Sequence, residues 1–136
     1  MHMITNIINA VKGYISYRGG PGHFAFVMHR VSGIGTLLFL SMHILLESTV
    51  RFAPHLYDQL NAGLRSPVGL AAETFMAFLV IFHSVNGFRI AYADLFKPSV
   101  WDHPTGQNSA RLTWAVAVIL WIPAGTIMIL HGLKLI

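Results

Sequence analysis

Three apolar runs decide most of what this chain can fold into. They cover about residues 26–50, 69–93 and 112–133. Each is long enough to cross roughly 30 Å of hydrocarbon, which takes about 20 helical residues. No water is available there to bond a free peptide group, so each run must satisfy its backbone internally, as a helix does. The expected fold is an all-α membrane protein with three transmembrane helices. Composition agrees, since 54% of residues are hydrophobic and 10% charged, against about 25% charged in a soluble domain.

The segments between the runs are polar or turn-forming. YRGGPGH precedes the first run and KPSVWDHPTG separates the second from the third. RFAPHLYDQLNAGLRSP links the first two on the other side. Residues 1–25 read as a tail. Within it Ile4, Ile7, Ile8, Val11 and Ile15 recur at helical spacing, which predicts a short amphipathic segment on the membrane surface. Residues 1–20 lack the apolar core and small-residue site of a cleavable signal peptide. Residues 1–136 are read as one domain.

Charge gives an orientation. Lys12, Arg18, Arg30, Arg89, Lys97 and Arg111 fall on the side of the N-terminus, and only Arg51, Arg65 and Lys134 fall opposite. The positive-inside rule then places the N-terminus in the cytoplasm and the C-terminus outside. Trp101, Trp114 and Tyr92 are expected at the inner interface. Pro123 lies inside the third run, where a membrane helix tolerates it with a kink. The net charge of +4 is scattered rather than clustered, so nucleic acid is not an expected partner. With no cysteine the chain can form neither disulfides nor its own iron–sulfur ligands.

The unusual feature is polar: ionisable residues inside the runs, among the chain's eight histidines. Such groups are costly in a bilayer and mark functional sites by default. On the first helix His29, Gly33, Thr36, Leu40 and His43 share a face. His29 and His43 lie about 21 Å apart along the axis, too far to bind one metal ion. His29, beside Arg30, belongs near the inner surface and His43 near the outer one. On the second helix His83, Gly87, Ile90 and Asp94 share a face. Gly87, one turn from His83, leaves room for a close-packed helix or a large flat ligand. Haem fits this pattern, because its iron takes an axial imidazole. Arg30 and Arg89 are candidate cationic partners for its propionates. One helix offers one axial histidine at that depth, so bis-histidine ligation would need a histidine from another chain. The plainer reading of His83 is a hydrogen bond to a neighbouring helix. His29 and Arg30 would then snorkel to the headgroups.

MHRVSG at 28–33 and the pattern H-x-x-x-G-x-R-x-x-x-x-D at 83–94 narrow these readings. On a three-span chain of this length they resemble the cytochrome b subunit of succinate dehydrogenase, a membrane anchor of respiratory complex II. The resemblance runs from about Tyr17 to the C-terminus. It implies half of a haem-binding helical bundle, completed by a partner anchor subunit. His83 matches the family's axial haem b ligand, with the other ligand on the partner. His29 and Arg30 match a pair beside the propionates and the quinone pocket. Phe26 stands where many members carry a quinone-binding serine, which leaves Ser32 and Tyr17 as candidate substitutes. His43 matches the place of a distal ligand in dihaem relatives, so a second haem is a further expectation.

The resemblance further implies a flavoprotein that oxidises succinate in the tricarboxylic acid cycle and an iron–sulfur subunit that passes electrons to the membrane. This chain would bind haem b and form part of the quinone-reduction site, in a bacterial cytoplasmic (inner) membrane. It would belong to an enzyme without carrying the dehydrogenase chemistry. His29 and Asp94 are candidates for proton delivery. The rival readings are a cytochrome b anchor of another membrane oxidoreductase and a cofactor-free structural subunit.

Overall fold

In the computed structural model the chain forms five α-helices and one 3₁₀ turn among its described residues, which are 2–16, 19–102 and 104–135. Tyr17, Arg18 and His103 lie outside them. The helices are α1 (His2–Ser16), α2 (Pro21–Phe52), α3 (Pro54–Leu64), α4 (Pro67–Leu95) and α5 (Thr105–Gly132), with the 3₁₀ turn at Pro98–Trp101. Helices α2, α4 and α5 are long and apolar enough to cross a membrane, and the chain is an integral membrane protein.

Proline sets most of the helix starts. Pro21, Pro54 and Pro67 each stand in the first turn of their helix. There the missing N–H costs nothing and the fixed φ is already helical. The Ser66 hydroxyl caps α4 by accepting the Gly69 N–H at 3.1 Å. The spans therefore begin earlier than hydropathy alone suggests, with α2 starting at Pro21 rather than Phe26. At 32 residues, α2 is about 48 Å long, well beyond the hydrocarbon thickness. The link between the first two spans is also more ordered than its polarity implies. Its proline and its leucines at 56, 60 and 64 build the short helix α3. Helix α5 continues through Pro123.

The three long helices alternate in direction. The start of α2, the end of α4 and the start of α5 meet at one end, where Gly20 packs against the Gln107 side chain. Small residues make the close approach, as is usual where lipid removes the hydrophobic drive between helices. Ala25, Ala110 and Ala117 enclose Phe82 in the buried core, with Met28, Phe78, Ile81 and Trp114 packed around it. Gly35 lies against Leu79 so tightly that a Cβ would collide with it. Trp114 does not serve the interfacial belt expected for it. Its ring packs inward, 4.4 Å from Phe82 and 5.2 Å from Phe24 between centroids.

Two apolar surfaces are left exposed among the described residues. Helix α1 packs against no other helix among the described residues, and Ile4, Ile7, Ile8 and Val11 are exposed. The apolar side predicted for the surface segment is thus available to a bilayer. The buried positions of α2 are Ala25, Ser32 and Gly35, all in its first half. From Leu37 onward its apolar side chains, Leu38, Met42, Ile44 and Leu45 among them, are largely exposed.

Candidate functional site

The two polar faces read from the sequence meet where α2 crosses α4. His83 turns toward α2, and its ring lies parallel to that of His29, with centroids 4.2 Å apart and 3° between planes. The Nδ1 atom of His83 is 3.1 Å from the backbone oxygen of His29. A carbonyl only accepts, so Nδ1–H donates. In the neutral ring this leaves the Nε2 lone pair available, the form in which imidazole binds a metal. The Ser32 hydroxyl donates to the same carbonyl at 3.1 Å, and its oxygen stands 3.4 Å from His83 Nδ1.

Two glycines make this geometry feasible. A Cβ on Gly33 would stand 3.0 Å from His83 Cε1, so only glycine lets the α2 backbone come this close without moving the ring. A Cβ on Gly87 would stand 3.7 Å from His29 Cε1, an ordinary contact. Gly87 therefore faces the histidine pair, as its spacing predicts. Gly33 is the tighter of the two, although the sequence reading named it only as part of a face.

His29 lies at the level of His83, which revises the expectation of a single histidine at that depth. The early start of α2 is the cause, since it carries His29 about 12 Å into the helix. The two rings cannot both be axial ligands of one haem, because face-to-face stacking leaves no room for a macrocycle between them. A second axial ligand would have to come from outside this pair. The Nδ1 of His29 is buried and meets no hydrogen-bond partner among the described residues. The hydroxyl oxygen of Thr36, on the same face of α2, is in the same condition.

The remaining candidates are placed apart. Arg30 is exposed, and its guanidinium lies over the Phe26 ring at 5.1 Å. Phe26 thus serves as a seat for the arginine one turn later, a role the sequence reading missed although the i, i+4 spacing offers it. Arg89 turns away from His83. Its guanidinium donates to Ser109 Oγ at 2.9 Å, to the Gly106 carbonyl at 3.2 Å and to Asn86 Oδ1 at 3.2 Å, above the Trp101 ring. It fastens α4 to the start of α5 and is not brought near the histidine pair. Asp94 accepts the Trp101 indole N–H at 2.9 Å and pins the 3₁₀ turn to the end of α4. His43 is exposed in the C-terminal half of α2, stacked on Phe39 of its own helix. Ser32 is fully buried, and Tyr17 falls outside the described residues.

A cavity of about 290 Å³ opens at the end where the starts of α2 and α5 meet, lined by Gly20, His23, Arg89, Trp101 and Gln107 among others. It does not include the histidine pair. Among the described residues no three histidine, aspartate or glutamate side chains converge as a metal cage. The donor set around His83 suits a metal that brings most of its own ligands. One imidazole has its Nδ1 proton held and its Nε2 lone pair available, beside backbone stripped to glycine. Haem iron takes an imidazole in that form, so His83 fits the group.

The comparisons with known proteins agree with this architecture. Residues 8–124 match the family model described as succinate dehydrogenase/fumarate reductase transmembrane subunit. The "Succinate dehydrogenase 2 membrane subunit SdhC" of Mycobacterium tuberculosis (strain ATCC 25618 / H37Rv) is 32% identical over 118 residues, covering 85% of this chain and 82% of the relative. The chain, with its three spans and its histidine pair at the α2–α4 crossing, belongs to the family of succinate dehydrogenase/fumarate reductase transmembrane subunits.

Proposed function

We propose that this chain is the haem-binding cytochrome b anchor of a succinate:quinone oxidoreductase and that His83 is the axial ligand. The observation carrying this reading is the hydrogen bond from His83 Nδ1 to the His29 carbonyl, which leaves Nε2 available for iron. Bound haem supplies a one-electron redox centre within the membrane. The chain holds it through His83, whose ring is seated against α2 at Gly33, and offers Arg30 to a propionate. His29 buttresses the ligand ring by stacking on it.

The other axial ligand comes from a second anchor subunit. The exposed outer half of α2 supports such a neighbour, since this chain leaves that apolar surface uncovered. His43 on the same half is the candidate ligand for a distal haem, which also needs an opposing imidazole from the partner. A flavoprotein and an iron–sulfur subunit complete the enzyme and deliver electrons from succinate. The whole chain acts as one anchor domain, with its N-terminus on the cytoplasmic side of a bacterial inner membrane.

Quinone is reduced at the end where α2 begins. Arg30, held on Phe26, donates to a quinone oxygen as it gains negative charge, an electrostatic role suited to a fixed cation. His29 stands next to it in the chain. Ser32 is buried beneath the histidine pair, so its part is played toward His83. The test of the reading is the reduced-minus-oxidised spectrum of the assembled complex carrying His83→Ala. Loss of the b-type signal is the expected outcome, and a signal of unchanged size overturns the assignment.

A further inference from the structure

Ser32 is among the largest fully buried side chains of the protein, together with Phe82 and Asn86. A hydroxyl in a membrane helix can satisfy itself on a carbonyl one turn back. Thr74, Thr113 and Thr126 do so, each on the residue four before it. Ser32 bonds locally too, but the carbonyl it chooses is the one that receives the Nδ1–H of His83. Its own oxygen lies 3.4 Å from that nitrogen, across an interval of 51 residues in sequence. The Nδ1–H of His83 therefore faces two oxygens, one from the backbone and one from a side chain. Gly33, the next residue along, is what brings the α2 backbone against the ring.

We propose that Ser32 is a positioning residue for His83, forming with the His29 carbonyl a two-oxygen cradle that fixes the ring's tautomer and rotation and thereby sets the potential of the haem iron. The inference rests on the haem reading of the preceding subsection. Acceptors on the far nitrogen of a ligating histidine raise its basicity and hold its orientation. A more basic ligand favours the ferric state. Removing the serine oxygen leaves one acceptor, so the iron becomes easier to reduce.

The experiment is a redox titration of the haem in the assembled complex carrying Ser32→Ala, with the ferric electron paramagnetic resonance spectrum recorded beside it. The ferrous-to-ferric ratio at a fixed ambient potential is expected to rise by about tenfold, about 59 mV for a one-electron couple. The ferric g-values should move as the ring gains rotational freedom, and Ser32→Thr should restore both quantities. A fully loaded Ser32→Ala complex with wild-type potential and g-values overturns the proposal. If Ser32→Ala fails to assemble, Ser32→Cys reads the same quantity, because a thiol fills the space but accepts weakly. A raised potential there supports the cradle and a wild-type potential overturns it. A wild-type complex without b-type haem, or a His83→Ala complex that keeps it, removes the haem reading and this proposal together. Normal haem with an unmoved potential removes the proposal alone.

Discussion

His83 of α4 and His29 of α2 stack face to face, 4.2 Å apart, and a hydrogen bond from the His83 ring to the His29 backbone locks them. One residue thus supplies the ring that supports the other and the carbonyl that orients it. The chief consequence is that α2 and α4 must keep their register for His83 to present its Nε2 as it does.

Gly33 is where that register bears directly on the His83 ring. A Cβ there stands 3.0 Å from His83 Cε1, so Gly33→Ala forces the ring or the helix to shift. Overpacking of this kind costs about 1–3 kcal/mol. Haem per chain and thermal stability should both fall. Gly63→Ala serves as the control, since a Cβ there meets nothing within 4 Å. Equal haem content in the two variants would contradict the close approach.

Arg89 separates structure from redox function. It makes two hydrogen bonds to the start of α5 and one to Asn86 of its own helix, and none to His83 or His29. Arg89→Ala should lower stability by about 1.5–3 kcal/mol, the scale for hydrogen bonds to a charged group. The haem spectrum of the surviving complex should keep its position. A changed haem potential with unchanged stability would restore the propionate role that the sequence suggests for this arginine.

Most of the architecture was legible in the sequence, because a bilayer permits few solutions. Run length gave the three spans, and the 3.6-residue period put His83 and Gly87 on one face. The contacts between helices were not legible. Whether His29 or another α2 residue meets His83 depends on how far one helix slides against the other. That is set by Ala25, Gly35 and Ala117 in the packing, and by a helix start at Pro21 that hydropathy does not mark. The contacts of Arg89 were not legible for a related reason. It lies about 120° around α4 from His83, and only the position of α5 shows what it meets. Helix α3 was missed because a short surface helix carries too few apolar residues to stand out from a linker.

Arg30 and Phe26 form the pair to test for quinone. Arg30→Ala should abolish quinone reduction while succinate oxidation by an artificial acceptor continues. Phe26→Leu should act more weakly. An exposed cation–π contact contributes about 0.5–1 kcal/mol, so kcat/KM for quinone should fall roughly two- to fivefold. Unchanged quinone kinetics in both variants would place the quinone site elsewhere.

The central claim is that His83 Nε2 ligates iron, and a cavity variant tests it most directly. His83→Gly removes the imidazole and leaves space for a free one. The purified complex should lose its low-spin b-type spectrum and regain it when imidazole is added to the buffer. A variant complex that shows the wild-type spectrum with no imidazole present would contradict the account.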